Sequence, residues 1–420
     1  MLYKMNTVKN NKKIELLAPV GSFESLHAAI QAGADAIYFG VAQLNMRAKS
    51  INSFTLSDLQ AIQSVCSKNH VNTYITLNTV MYEHDMQLLK TILKEVKKQK
   101  INAVIASDIS VMEYCRQLKI PVHISTQANV SNIESVKFYA SFSDAVVLAR
   151  ELTLKQVKQI CTEIARKKIK GISGDLMRIE IFIHGALCMA VSGKCYLSLH
   201  AQNSSANRGA CVQNCRRPYL VTDLETRDDL LVENEYIMSA KDLCTIDILD
   251  QLIESGATIL KIEGRGKGPE YVHTVTKIYK EALLAIAEKC YTQEKIKTWK
   301  KDLAKVYNRG FWEGYYLGRK LGEWTGNPGS AATEKKIYVG KGRKYYSKIK
   351  VGEFLIEAGS IKAGDTLLVT GPGFGILKQP VDNLIVNGTT SVQAVKGDLV
   401  TFPCEHKISS TDKLYKMVKA

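Results

Sequence analysis

Ile14-Glu15-Leu16-Leu17-Ala18-Pro19-Val20-Gly21-Ser22-Phe23-Glu24-Ser25-Leu26-His27-Ala28-Ala29-Ile30-Gln31-Ala32-Gly33-Ala34-Asp35-Ala36-Ile37-Tyr38-Phe39 is the stretch on which the fold turns. Ile14 to Ala18 is a short apolar run of strand type, Ser22 to Gln31 is a helical pattern opened by a capping serine, and Ala36 to Phe39 is a second strand. Strand, helix and strand in so short a span imply parallel strands joined by a crossover helix. The unit recurs. Further strand patterns fall at Thr73 to Leu77, Ala103 to Ala106, Val122 to Ser125, Ala145 to Leu148, Ile179 to Ile183 and Ile259 to Ile262, with helical patterns such as Leu56 to Lys68, Asp85 to Lys98 and Leu154 to Lys167 between them. Eight β-α units in roughly 290 residues predict an α/β fold, a TIM-like (β/α)8 barrel, whose usual size is about 250 residues. The same spacing also suits a doubly wound open sheet.

Outward from that core the pattern changes twice. The gap between Ile183 and Ile259 is too long for one crossover, and in a barrel it leaves from the carboxyl end of the seventh strand, where barrel enzymes place their chemistry. Tyr307 to Ser330 is rich in glycine and aromatic residues and reads as an irregular connector; its Phe311, Trp312, Tyr315 and Tyr316 suit a packed hinge between domains. From Lys335 short strands with glycine turns replace helices, which predicts a small β-barrel. The expected organisation is a flexible tail over 1–12, a barrel over 13–333 with a cysteine-rich region at 184–236 and the connector at 307–333, and the small β-barrel over 334–420.

The 420 residues carry 57 basic and 41 acidic side chains, a formal charge of +16, with 45% hydrophobic and 23% charged residues. That composition excludes disordered, collagenous and coiled-coil classes. No apolar stretch approaches a membrane span, and the apolar run after the lysine-rich amino end is too short for a signal-peptide core, so a cytoplasmic protein without a membrane partner is expected.

Of the ten cysteines, Cys188, Cys195, Cys211 and Cys215 are clustered, with six, fifteen and three residues between successive members. Neighbouring thiolates repel unless a cation neutralises them, so a metal is the natural occupant. An iron–sulfur cluster tolerates such irregular spacing; structural zinc prefers two tight pairs, and only the second pair is tight; unligated structural cysteines are the third reading.

Glu180, Phe182, Gly185, Ala186, Leu187, Cys188, Gly193, Cys195, Leu197 and Ser198 fill every fixed position of the pattern E-x-F-x-x-G-[SA]-[LIVM]-C-x4-G-x-C-x-[LIVM]-S. That pattern resembles the signature of the U32 family, labelled collagenase-like peptidases. Glu15 to Ser22, Gly33 to Ala36, Ser125-Thr126-Gln127, Arg150-Glu151-Leu152, Asn207-Arg208-Gly209 and Lys261 to Arg265 are similar too, and the resemblance extends over about residues 14 to 420. It implies a [4Fe-4S] cluster on Cys188, Cys195, Cys211 and Cys215. It also implies kinship with proteins that hydroxylate RNA bases or support oxygen-independent ubiquinone hydroxylation, most nearly those that make 5-hydroxyuridine at the tRNA wobble position with prephenate. In the ubiquinone branch the last ligand lies further downstream, which leaves Cys244 as the alternative fourth ligand; otherwise it is a buried thiol in a helix before the last barrel strand.

The peptidase label lacks a visible engine, since the chain has neither a Gly-x-Ser-x-Gly turn nor a His-Glu-x-x-His helix. His184, just after the seventh strand, is a candidate proton donor beside the cysteines, and Glu151 and Glu263 are candidate acid–base groups. Asn78, Gln127, Arg150 and Arg265 fall near strand ends and are expected to line the pocket, the two arginines suiting a dicarboxylate such as prephenate. Arg150 paired with Glu263 would instead be structural. Lys335, Lys336, Lys341, Arg343, Lys344, Lys348 and Lys350, interleaved with Tyr338, Tyr345 and Tyr346, suit a tRNA backbone with stacked bases, or else a solvated face. Three functions follow: RNA hydroxylation with tRNA and an electron donor or other protein as partners and no role for DNA, peptidase activity, or a redox-sensing or scaffold iron–sulfur protein.

Overall fold

The computed structural model describes residues 14–46, 54–220, 222–226, 238–318, 322–326 and 329–420. The expected tail at 1–12 and part of the cysteine-rich region lie outside them.

Ten strands belong to the first sheet: β1 (Glu15–Pro19), β2 (Ala36–Phe39), β3 (Asn72–Leu77), β4 (Ala103–Ala106), β5 (Val122–Ile124), β6 (Ala145–Val147), β7 (Arg178–Ala186), β8 (Asp242–Cys244), β9 (Ile259–Ile262) and β10 (Phe311–Trp312). Strands β1 to β7 and β9 pair in parallel, and β9 bonds to both β1 and β7, so the sheet closes on itself. These eight are the eight strands read from the sequence; the open-sheet alternative is gone. They were legible because strands buried on both faces become near-continuous apolar runs. All five residues of β1 are buried.

Helices α1 (Phe23–Gln31), α2 (Leu59–Lys68), α3 (Met86–Lys98), α4 (Ile109–Leu118), α5 (Ile133–Ala140) and α6 (Leu154–Lys167) form the crossovers, followed by α7 (Leu197–Gln202), α8 (Leu249–Glu254), α9 (Pro269–Ala287) and α10 (Gln293–Leu303). Ser22 caps α1 as expected, its hydroxyl accepting from the Ser25 amide at 3.3 Å, an arrangement typically worth about 1 kcal/mol. The main core lies between strands and helices, while Leu17, Ala36, Tyr38, Tyr74, Ala103, Ile105, Ala145 and Ile259 fill the barrel interior.

One strand departs from expectation. Cys244 sits on β8, not in a helix, and β8 pairs antiparallel with the end of β7, His184 opposite Cys244 and Ala186 opposite Asp242. Strand β10 adds to β8, and the Trp312 indole donates to the Lys241 carbonyl at 3.1 Å. The Tyr316 hydroxyl donates to the Phe182 carbonyl at 2.7 Å. The connector is therefore packed as expected, but against the barrel rim rather than only between domains.

Beyond it come β11 (Glu334–Tyr346), β12 (Val351–Ile356), β13 (Ser360–Lys362), β14 (Thr366–Gly371), β15 (Gly375–Pro380), β16 (Leu384–Val386), β17 (Thr389–Ser391), β18 (Gln393–Val395), β19 (Leu399–Pro403) and β20 (Lys413–Lys419). Eight of them form an antiparallel sheet in the order β15-β14-β20-β11-β12-β19-β16-β17, and β13 pairs with β18. Residues from the middle and both flanks, Val339, Phe354, Leu367, Leu384, Phe402 and Leu414, meet in one core, so the sheet curls around itself. The region docks on α1: Gln31 Nε2 donates to the Ile376 carbonyl and Gln31 Oε1 accepts from the Ile376 amide, each at 3.2 Å. No described helix is long and apolar enough to cross a membrane.

Candidate active site

The four clustered cysteines leave the carboxyl end of β7 and fold over the barrel mouth. Cys188 and Cys211 are exposed, and Cys195 and Cys215 half-buried. Burial pushes the Cys215 thiol above its ordinary range; Arg216 opposes this, and the nearby Cys188, Cys211 and Cys195 add to it. The sequence thus brings the four together. Arg216 clasps the loop: its guanidinium donates to the Ala240 carbonyl at 2.6 Å, to Ser239 Oγ at 3.1 Å and to the Leu187 carbonyl just before Cys188. Asn129 after β5 donates to the Ser192 carbonyl at 2.5 Å. Gly193, at φ +70°, lies so close to Gln127 that a Cβ there would stand 2.8 Å from its carbonyl oxygen. Cys244 is fully buried, and desolvation pushes its thiol up to about 11.

Under this loop the mouth is cationic. Arg150 donates to the Ala186 carbonyl at 2.8 Å and lies 3.8 Å above the Phe182 ring. Its Nε is buried without a hydrogen-bond partner. Arg265 donates to Thr76 Oγ1 at 2.6 Å, and Gly40 is needed beside it, because a Cβ there would lie 2.5 Å from Arg265 Nη1. Asn78 donates to Ser125 Oγ at 3.2 Å, and Gln127 follows on the same rim. The four expected pocket residues therefore gather at the mouth.

Three expected acid–base residues do not join them in that way. His184 is corrected: it packs behind the barrel wall against Tyr271, Tyr279 and Phe311, 1% exposed, and burial pushes its imidazole down to about 3. The cause is a register shift between Phe182 and His184 in the β7–β9 ladder, which turns His184 to the opposite face. Glu263 borders Asp242, Tyr271, Tyr307 and His184, whose ionisation its charge affects. Glu151 is exposed on the turn after β6.

The sequence reading missed the polar chain inside the barrel. Lys261 on β9 is paired with Glu180 on β7 at 2.6 Å, and its ammonium lies 4.5 Å over the Tyr38 ring. Glu180 Oε2 faces His123 Nδ1 at 3.6 Å, His123 Nε2 faces Arg178 Nη2 at 3.2 Å, and Arg178 approaches Glu15 at 3.5 Å. Tyr74 donates to Glu15 at 2.7 Å. Despite full burial, Lys261 and His123 hold the Glu180 carboxyl well below the usual carboxylate range. The available signal was alternation: Glu180 and Phe182, like Lys261, fall on inward positions of their strands.

Of the lysine-rich segment, Lys336 is paired with Glu270 at 2.8 Å and Lys341 with Glu357 at 2.7 Å, whereas Lys335, Arg343, Lys344, Lys348 and Lys350 are exposed. The three tyrosines are anchored by their hydroxyls, Tyr338 to Glu357, Tyr345 to the Cys404 carbonyl and Tyr346 to Glu353.

A closed (β/α)8 barrel with a four-cysteine loop over a cationic mouth defines a class of barrel protein with its chemistry at the carboxyl ends of the strands. The family model for peptidase family U32 matches residues 21–326, and the chain belongs to that family. It is 50% identical over 410 residues to a "Collagenase" of Porphyromonas gingivalis, covering 98% of this chain and 99% of that one. It is 36% identical over 408 residues to an "Uncharacterized protease" of Methanocaldococcus jannaschii, with 96% and 98% covered. A more distant relative, "tRNA hydroxylation protein P1" of Bacillus subtilis, is 33% identical over 330 residues, covering 74% of this chain and 75% of that one.

Proposed function

We propose that this protein is an iron–sulfur enzyme of its family that hydroxylates a base in RNA without oxygen, the wobble uridine of tRNA, using prephenate as carboxylate co-substrate. The observation that carries the reading is the junction of four thiols with a buried cationic mouth. Cys188, Cys195, Cys211 and Cys215 offer a donor set of thiols alone. Among the described residues no three His, Cys, Asp or Glu side chains stand close enough to hold a single metal ion. A [4Fe-4S] cluster would take one thiolate on each of its irons. When bound, a [4Fe-4S] cluster supplies one-electron chemistry at the rim.

The chain's own residues do the positioning. Arg150 and Arg265 bind carboxylates through paired N–H donors, and the loop carrying the cysteines roofs them and excludes water. Arg343, Lys344, Lys348 and Lys350 offer phosphate contacts that hold the RNA while one base enters the mouth. An electron-donating partner belongs to the same reading.

The 50% identical relative named a collagenase favours a second reading, peptidase activity. Against it, neither buried histidine is bonded to a serine or cysteine: His123 faces Arg178, and His184 faces the Tyr279 hydroxyl. Nucleoside mass spectrometry of tRNA from a deletion strain, beside collagen cleavage by anaerobically purified protein, separates the two. Loss of 5-hydroxyuridine that the wild-type gene restores and a Cys188→Ser gene does not supports the first; unchanged tRNA with collagen cleavage establishes the second.

A further inference from the structure

We infer that Lys261 is a ligand-contacting residue, the floor cation of an anion site completed by Arg150 and Arg265, and that this site takes a compact dianion, two carboxylates or one phosphate. Lys261 and Phe182 are directly opposite in the β7–β9 ladder. The Phe182 ring lies 3.8 Å from the Arg150 guanidinium and 5.4 Å from the Lys261 ammonium, so both cations border one aromatic ring. A cation beside an aromatic ring is held by the ring's quadrupole without its N–H donors being used up. The buried Nε of Arg150 lacks a partner and is the donor such an anion would engage.

Electrostatics agree with that geometry. Burial pushes the Lys261 ammonium below its ordinary value, and Arg265 and Arg150 push the same way against the pull of Glu180. Three like charges crowded into one low-dielectric space repel, and an anion seated among them turns repulsion into attraction. Glu180 offsets the charge of Lys261, and two negative charges on the ligand match the two guanidinium groups. A single carboxylate matches only one.

Glu180 is itself braced from below. The His123 ring lies behind it, with Nδ1 3.6 Å from Glu180 Oε2 and Nε2 3.2 Å from Arg178 Nη2. The charged chain running from Glu15 to Lys261 through the barrel thus keeps the floor cation fixed in place.

The assignment rests on the anion-binding part of the function proposed above and on none of its RNA chemistry. Malonate, inorganic phosphate and acetate, titrated calorimetrically into the purified full chain at low salt, provide the test. Saturable binding of malonate or phosphate with one site per chain, and weaker binding of acetate, is expected; the tighter of the two dianions identifies the chemistry. Lys261→Met should weaken that binding at least tenfold, whereas Lys300→Met, at a surface pair with Asp247, should leave it unchanged. If Lys261→Met does not fold because Glu180 is left unpaired, the double variant Glu180→Gln/Lys261→Met removes both charges and should fold and lose binding. Absence of dianion binding in the wild type, or wild-type affinity in either Lys261 variant, overturns the inference. Dianion binding in a protein that leaves tRNA unmodified would remove the RNA reading alone.

Discussion

Arg216→Ala should open the cysteine loop while leaving the barrel closed. The Arg216 guanidinium is the shared partner of the Leu187 carbonyl where the loop begins and of Ser239 and Ala240 where the chain returns to β8. Hydrogen bonds from a charged donor contribute about 1.5–3 kcal/mol each, so three of them set an upper limit of roughly 4.5–9 kcal/mol. Water replaces part of this at a rim position, and the neighbouring Arg309 repels Arg216, which lowers the gain further. A loss of about 2–4 kcal/mol in loop closure remains, roughly 30- to 900-fold in the opening equilibrium at 1.36 kcal/mol per decade. Amide hydrogen exchange reads this directly. The Lys194, Ser204 and Ala210 amides, bonded to Val191, Ser198 and Ser205 within the loop, should lose protection by that factor, while the Val104 amide in the barrel wall should not change. Protection of the three loop amides equal to wild type would refute the idea that Arg216 holds the loop shut.

Gly40→Ala places a Cβ 2.5 Å from Arg265 Nη1 and 2.7 Å from Asn45, so the proposed hydroxylation should fall at least tenfold with a stability change of about 1–3 kcal/mol, measured by product yield and urea unfolding. Anaerobic iron and sulfide analysis should find near-complete loss of the proposed cluster in Cys188→Ser and near-wild-type content in Cys244→Ser; the opposite pattern would make Cys244 a ligand. His184, held neutral by burial with its pKa down to about 3, makes the fold acid-sensitive: the unfolded chain takes up its proton below about pH 6.5 and the folded one does not, so stability is full above that and declines as pH falls toward 3. In His184→Phe the fall in unfolding free energy between pH 6 and 4 should be shallower by up to about 1.4 kcal/mol per pH unit, and an unchanged slope would show that His184 does not set it. Arg343→Ala/Lys344→Ala should reduce the salt slope of the proposed tRNA binding by up to about two units, since both side chains are exposed, and Lys341→Ala should add little because Glu357 already occupies that lysine.

The barrel was legible because parallel strands covered on both faces announce themselves as apolar runs, and the crossover helices by their caps. Strand β8 was not, because three residues beginning with Asp242 carry too little pattern to separate a strand from a helix start. The polar chain from Glu15 to Lys261 escaped for a different reason. A charged residue on a strand reads as facing solvent unless its partner is known, and the partners lie on strands distant in sequence, such as Glu180 and Lys261. His184 illustrates the limit of inference from strand position: alternation places it at the mouth, and a one-residue irregularity in the ladder sends it to the other side. The carboxyl-terminal region was read correctly as a run of short strands with glycine turns. Those strands form the antiparallel sheet that curls around one core, with β15 and β17 at the ends of its strand order.

The connector's return to the rim also fixes an order of events during synthesis. Phe311 and Trp312, which pair with β8, and Gly314, which lies beside Leu187, are about 120 residues downstream of Cys188. At about 5–20 residues per second, the ribosome exposes the thiols for about 6–25 s before the segment that braces their loop has been made. The nascent chain therefore passes through a stage in which the barrel's early strands exist and the cysteines stand open, and that interval is when loading of the proposed cluster would meet the least obstruction.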